Sequence, residues 1–278
     1  MSSGFAPNGL YWCAEAPLQP SQPTLVFIHA SWMSSSMWEE TTRSLAIDLP
    51  TTNLIRIDLN GHGKTTNGRK EYTLWDQAHD VLSLIDDLNL SNVLIAAISI
   101  GTMVALRSAL LSPSKVSGLI LLSANASAAS DAHKLGFPQL RDIWTSTPSP
   151  SEEIMNGAIL AWGGDADVGG ARAQRIREHW IARHSGKENI DPTLCSMMER
   201  ESLLGRLAEI RVPVLLVHGE EDGTYPVEDA AEIQRELVNA AGEVRLEVLK
   251  GEGHLLVYLR ESSDVTGLIR GFAARVFC

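Results

Sequence analysis

The apolar residues of this chain fall into two alternating patterns. In one they form short unbroken runs, at residues 25–29 (LVFIH), 54–59 (LIRIDL), 93–98, 119–122, 212–217 and 244–249. Such runs predict strands buried on both faces, as in a parallel sheet covered by helices. In the other pattern they recur every three or four residues. Residues 72–88 carry Leu74, Ala78, Val81, Leu82, Ile85 and Leu88, the stripe of an amphipathic helix. Helices are also predicted over 37–46, 102–111, 230–240 and 262–276. Strand and helix take turns along the chain, which predicts an α/β fold with a mostly parallel sheet and helices on both faces.

The alternation breaks once, over residues 127–209, where the chain is polar, punctuated by Pro and Gly, and helix-leaning. A stretch that long cannot be a structureless loop inside a compact domain. It is expected to be a helical cap inserted over the carboxyl ends of the strands, where open α/β sheets bind ligands. Residues 1–126 and 210–278 would then form one core.

Composition narrows the class. At 44% hydrophobic and 21% charged residues the chain is ordinary for a globular protein, and it has no apolar run of about 18 residues that would span a membrane. Residues 1–22 are rich in Ser, Pro and Gln without the apolar core of a secretory signal, and the carboxyl end matches no targeting or lipidation motif. The three cysteines, Cys13, Cys195 and Cys278, are odd in number and far apart, which argues against a disulfide framework and for a reducing compartment. The expected location is cytoplasmic. A net charge of −11 with no basic stripe argues against nucleic acid as a partner and leaves a small molecule. No feature of the sequence specifies an oligomeric state.

The candidate chemistry sits at strand ends. Ala97-Ile98-Ser99-Ile100-Gly101 lies between a buried run and a helix. A serine on a sharp strand-to-helix turn is pushed out above the sheet, and small residues two before and two after let the backbone turn. The helix that follows aims its free N–H groups and positive dipole at the same spot. Ser99 is therefore the candidate nucleophile. Val217-His218-Gly219-Glu220-Glu221-Asp222 follows another buried run, where the acid of a triad belongs. Glu220 and Glu221 compete, but Asp222 precedes Gly223 and, beyond it, Pro226, a turn that would hold a carboxylate in place. Gly251-Glu252-Gly253-His254 follows the last strand, and the glycines give a turn able to swing an imidazole over the sheet. The order Ser99, Asp222, His254 is that of the strand-to-helix nucleophile elbow. An oxyanion hole on such a scaffold takes one N–H from the residue after the nucleophile and one from the first strand's loop, here Ile100 and Ser31 in His29-Ala30-Ser31-Trp32.

These motifs, with Asp58-Leu59-Asn60-Gly61-His62-Gly63 and Leu121-Leu122-Ser123-Ala124-Asn125, resemble the α/β-hydrolase superfamily over roughly residues 8–125 and 210–275. Within it the chain is similar to the capped esterase and 3-oxoadipate enol-lactonase-like branch. The resemblance implies an α/β-hydrolase fold and a serine hydrolase acting on an ester, thioester or lactone without a cofactor. Two positions depart from the family pattern. Ala30 and Ala97 stand where glycines are common, and alanine suits either place only at negative φ.

Other features carry less. Asp165 and Asp167 faintly resemble a calcium loop but lack its third ligand and terminal Glu, so a cap hinge is expected there. His179 and His184 have no H-E-x-x-H arrangement, and no metal site is expected. Trp32, Trp144 and Trp162 are candidate pocket residues; Trp144, Trp162 and Trp180 would alternatively pin cap helices to one another. Arg172, Arg175, Arg177 and Arg183 read as a solvated helix face. Cleavage of a C–C bond or a non-hydrolytic rearrangement on the same triad, or a ligand receptor with little turnover, are the competing functions. A serine at the elbow disfavours the aspartate-nucleophile enzymes.

Overall fold

The computed structural model describes residues 2–65, 69–163, 168–258 and 263–278. The strands are β1 (Ser2–Phe5), β2 (Tyr11–Ala14), β3 (Pro23–Ile28), β4 (Asn53–Asp58), β5 (Ser91–Ile98), β6 (Val116–Leu122), β7 (Val214–Gly219) and β8 (Val244–Leu249). The helices are α1 (Glu39–Asp48), α2 (Leu74–Asp87), α3 (Ile100–Leu111), α4 (Asp131–Trp144), α5 (Glu152–Gly163), α6 (Ala171–Arg183), α7 (Lys187–Met198), α8 (Val227–Glu236) and α9 (Ser263–Phe277). One sheet has the order β1-β2-β4-β3-β5-β6-β7-β8, antiparallel at β1/β2 and β2/β4 and parallel elsewhere.

The unbroken apolar runs are explained by burial on both faces. Along β3, Val26 and Ile28 join the core under α2 and α3, while Leu25 and Phe27 join the core under α1 and α9. β5 divides the same way, Val93, Ile95 and Ala97 against Leu94, Ala96 and Ile98. The period of two that a half-buried strand would show is hidden because both sets are apolar. β4 lies on one side of β3 and β5 on the other, so the direction of winding reverses between β3 and β5. A crevice opens at the carboxyl ends on such a reversal.

Some expectations shift. The hairpin β1–β2 was not legible, because each strand is four residues long and pairs antiparallel at an edge. α8 ends at Glu236, short of residue 240. α4 to α7 fill the break, but the helical excursion ends earlier than residue 209. Leu203 and Leu207 turn into the core on the side of α2 and α3, and the 3-10 turn Leu204–Glu209 follows them. The excursion leaves after Ala126 and returns at Leu203, whose N–H donates to the Ala126 carbonyl at 2.7 Å. The three cysteines are unpaired. Among the described residues no helix is long and apolar enough to cross a membrane.

The arginine run of α6 is a solvated face only in part: Arg175 and Arg183 are exposed, whereas Arg177 is buried. Arg172 and Arg175 pair with Glu40 of α1 at 2.5 and 3.4 Å, and buried Arg177 bonds Asn156 Oδ1 at 2.9 Å and the Val168 carbonyl. These contacts join the helical excursion to the core and to itself.

Candidate active site

Ser99 sits between β5 and α3 at φ 55°, ψ −121°, a left-handed backbone that a side chain rarely adopts. The strain is held by neighbours. Ser99 N–H donates to the Leu122 carbonyl at 3.0 Å, and Thr102 N–H and Oγ1 donate to the Ser99 carbonyl at 2.9 and 2.6 Å. Gly101 is required by crowding: a Cβ there would stand 2.8 Å from the Ile28 carbonyl oxygen and 2.9 Å from that of His29. Ala30 and Ala97 are not among the positive-φ residues, so alanine is unstrained at both. The left-handed position in the first loop belongs to Trp32 instead, at φ 58°.

His254 reaches Ser99 across the end of β7. Its Nε2 lies 2.9 Å from Ser99 Oγ and its Nδ1 2.8 Å from Asp222 Oδ2. The loop can pass so closely only because residue 219 is glycine; a Cβ there would meet the Glu252 and Gly253 carbonyl oxygens at 2.3 and 2.4 Å. Asp222 Oδ1 accepts the N–H groups of Thr224 and Tyr225, both at 2.9 Å. Burial alone would raise the pKa of Asp222. The charge of His254 and the bonds from His218, His254 and the Tyr225 N–H outweigh it and hold the carboxyl well below the usual range. Glu220 and Glu221 are exposed at the rim of the same turn.

Two further residues shape this chain of bonds. Ser123, at the end of β6 with φ 49°, donates from Oγ to the His254 carbonyl at 2.8 Å. His218 Nε2 donates to the Tyr225 carbonyl at 3.0 Å and stands 3.3 Å from Asp222 Oδ2. Burial lowers the His218 pKa, but the bonds to Asp222 and to the Tyr225 carbonyl prevail and raise it. In the sequence each is a polar side chain closing an apolar run.

Ser31 and Ser99 open into a small chamber walled by Trp32, Phe137, Trp162, Leu194, Met197 and Leu255. Ile100 is the first residue of α3, so its N–H is one of those with no partner inside the helix. Trp32 and Trp162 therefore stand where a pocket role requires. Trp144 does not. It is fully buried one layer behind, its Nε1 donating to the His184 carbonyl at 2.7 Å and its ring 5.1 Å from both Trp32 and Trp180. Trp180 in turn donates to the Trp32 carbonyl at 3.1 Å, so these rings pin the helices to the first loop. Trp144→Ala is expected to cost about 3–5 kcal/mol of stability and to scale rates on short and bulky substrates alike, as melting curves and a substrate panel would register.

Behind the first loop lies a run of buried imidazoles. The rings of His29 and His62 are 4.8 Å apart, those of His62 and His184 5.7 Å, and those of His184 and His179 5.5 Å. Among the described residues no group of His, Cys, Asp and Glu side chains is arranged to hold a metal ion, and Asp165 and Asp167 lie outside them. His29 donates from Nδ1 to the Ala30 carbonyl and accepts the Leu59 N–H at Nε2, which fits only the neutral ring. Burial, with a smaller push from His179, lowers its pKa from 6.5 to about 4. Below pH 6.5 the unfolded chain therefore takes a proton that the folded one refuses, and stability falls as pH drops from 6.5 to about 4. His29 alone accounts for about 3 kcal/mol of that loss. Burial depresses His62 and His184 in the same direction. Urea midpoints should fall steeply between neutral pH and pH about 5, and the slope should flatten in His29→Asn.

Residues 25–266 match the profile of the alpha/beta hydrolase family. Pimeloyl-[acyl-carrier protein] methyl ester esterase of Nitrosospira multiformis is 26% identical over 262 residues, covering 89% of this chain and 94% of that protein. Among solved structures, the enol-lactonase of Burkholderia xenovorans superposes with a TM-score of 0.79 at 16% identity, covering 99% of both chains. A thermophilic esterase of Thermogutta terrifontis superposes with a TM-score of 0.81 at 19% identity over the whole of both chains. At those identities the structural likeness speaks for the fold alone.

Proposed function

The chain belongs to the alpha/beta hydrolase family, and from that premise we propose that it is a serine hydrolase cleaving an ester, thioester or lactone of a small organic substrate through an acyl-enzyme on Ser99. The observation that carries this reading is the continuous bond chain from Ser99 Oγ through His254 to Asp222, at the mouth of an apolar chamber.

The chemistry follows from the distances. His254 Nε2 takes the Ser99 proton as Oγ attacks the carbonyl carbon. Asp222 keeps the other proton on Nδ1 and stabilises the imidazolium that forms. The N–H groups of Ser31 and Ile100 hold the oxyanion, and collapse of the tetrahedral species expels the leaving group with the proton from His254. Water, deprotonated by the same imidazole, then attacks the acyl-enzyme, releases the acid and restores Ser99. Ser123 and His218 act as positioning residues for the His254 loop and the Asp222 carboxylate.

The test is covalent. A fluorophosphonate should add to the protein once, on the peptide carrying Ser99, and abolish turnover of p-nitrophenyl butyrate in proportion to labelling. Unlabelled Ser99 with full loss of turnover would overturn the assignment of the nucleophile.

A further inference from the structure

Among the described residues, the chamber's lining includes no Lys, Arg, Asp or Glu. Its polar members are Ser31, Ser99, Thr224, Tyr225 and His254, of which Ser99 and His254 are already engaged with each other. A carboxylate moved into such a space would shed its hydration and meet no cation. The walls suit a compact, uncharged hydrocarbon group.

One wall residue has a second face on the surface. Trp162 lines the chamber and also lines a wider outer groove between α4 and α5, formed mainly by Leu140, Ile143, Ile154, Ala158 and Ala161, with Ser151 and Glu153 also on its lining. Its carbonyl accepts the Leu255 N–H at 2.8 Å, one residue beyond His254, and its ring meets Trp32 and Trp180 edge-on at 5.8 and 5.7 Å. Trp162 is thus a fixed partition between a small apolar space at the nucleophile and a larger one outside it.

We propose that this enzyme selects uncharged esters of short-chain acids, and that Trp162 sets the upper limit of chain length by closing the chamber off from the α4–α5 groove. This rests on the acyl-enzyme reading given above. A longer chain is refused because the ring blocks its path. The groove beyond already offers the apolar walls that such a chain needs.

The experiment has two arms. In the first, kcat/KM is measured for p-nitrophenyl acetate, butyrate, hexanoate, octanoate and decanoate, and for the hemisuccinate, whose carboxylate replaces the terminal methyl region of a short acyl chain. Wild type should lose at least about tenfold from butyrate to decanoate and at least about a hundredfold from butyrate to hemisuccinate. Trp162→Ala should reverse the length order, favouring decanoate over butyrate, without admitting the hemisuccinate. Trp162→Leu, a milder truncation, should shift the limit in the same direction if the alanine variant folds poorly. In the second arm, binding of butanamide, decanamide and succinamate to Ser99→Ala is followed by tryptophan fluorescence, which reads the chamber without any chemistry. Preference for butanamide, relaxed toward decanamide when Trp162 is truncated, supports Trp162 as the limit on chain length even if no ester is turned over; absence of turnover would sink the acyl-enzyme reading and with it the choice of esters. Turnover that is lost on labelling of Ser99, but with the hemisuccinate within about tenfold of butyrate or with a length order unmoved by either Trp162 variant, would overturn it.

Discussion

Ser99→Ala is expected to lower kcat on p-nitrophenyl butyrate by about a thousandfold or more while leaving the melting temperature close to that of the parent. The backbone of residue 99 is held by the Leu122 carbonyl and by Thr102, neither of which touches Oγ, so the turn survives the change. Alanine inherits the same left-handed strain that serine already bears at φ 55°. What disappears is the oxygen 2.9 Å from His254 Nε2. Steady-state kinetics and a thermal melt on the same preparation decide the matter. Turnover near that of wild type would mean direct attack by water or a non-hydrolytic reaction.

Asp222→Asn should cost about a thousandfold to ten-thousandfold in kcat, for a different reason. The carboxylate accepts four contacts, from the N–H groups of Thr224 and Tyr225 on one oxygen and from His254 and His218 on the other. An asparagine that keeps its oxygen on the two backbone N–H groups must present its NH2 to both imidazoles. His218 already donates from Nε2 to the Tyr225 carbonyl, so it cannot become an acceptor there without losing that bond. His254 can accept only by moving its proton to Nε2, which leaves a donor facing Ser99 and no base. The variant should fold, resist fluorophosphonate labelling and recover little rate at any pH. A loss under about tenfold would show that Asp222 is dispensable for orienting His254.

The three residues of this chain of bonds were legible because each is placed by local backbone context. Ser99 lies on a strand-to-helix turn next to Gly101, Asp222 on a Gly- and Pro-bounded turn after β7, and His254 in a glycine loop after β8. Those are short-range features, readable without knowing what lies across the sheet. The tryptophans of the excursion were not separable in the same way. Trp144 and Trp162 both occupy apolar positions in helices, and an apolar stripe says that a side chain is buried without saying against what. Only the crossing of α4, α5 and α6 over the first loop distinguishes Trp144, packed between Trp32 and Trp180, from Trp162, which opens on the chamber. Arg177 shows the converse, a charged residue in a polar helix that is nonetheless buried because Asn156 and Val168 supply its acceptors. The β1–β2 hairpin escaped for want of length, since strands of four residues leave too few positions to show a period.

The bond between Leu203 N–H and the Ala126 carbonyl has a bearing on how such a chain can change over generations. The polypeptide leaves the sheet after β6 and resumes beside it before β7, so the two ends of the excursion are drawn together at its neck, like a bag closed by a drawstring. Insertion or loss of residues inside it alters the length of one loop whose ends stay together, and the entropy of closing a loop grows only slowly with its length. The ladder between β6 and β7 lies outside the bag. Phe137, Trp162, Leu194 and Met197, which face the reacting group, all lie inside it. Rewriting that one segment therefore remodels the walls that face Ser99 while the β6–β7 ladder stays in place.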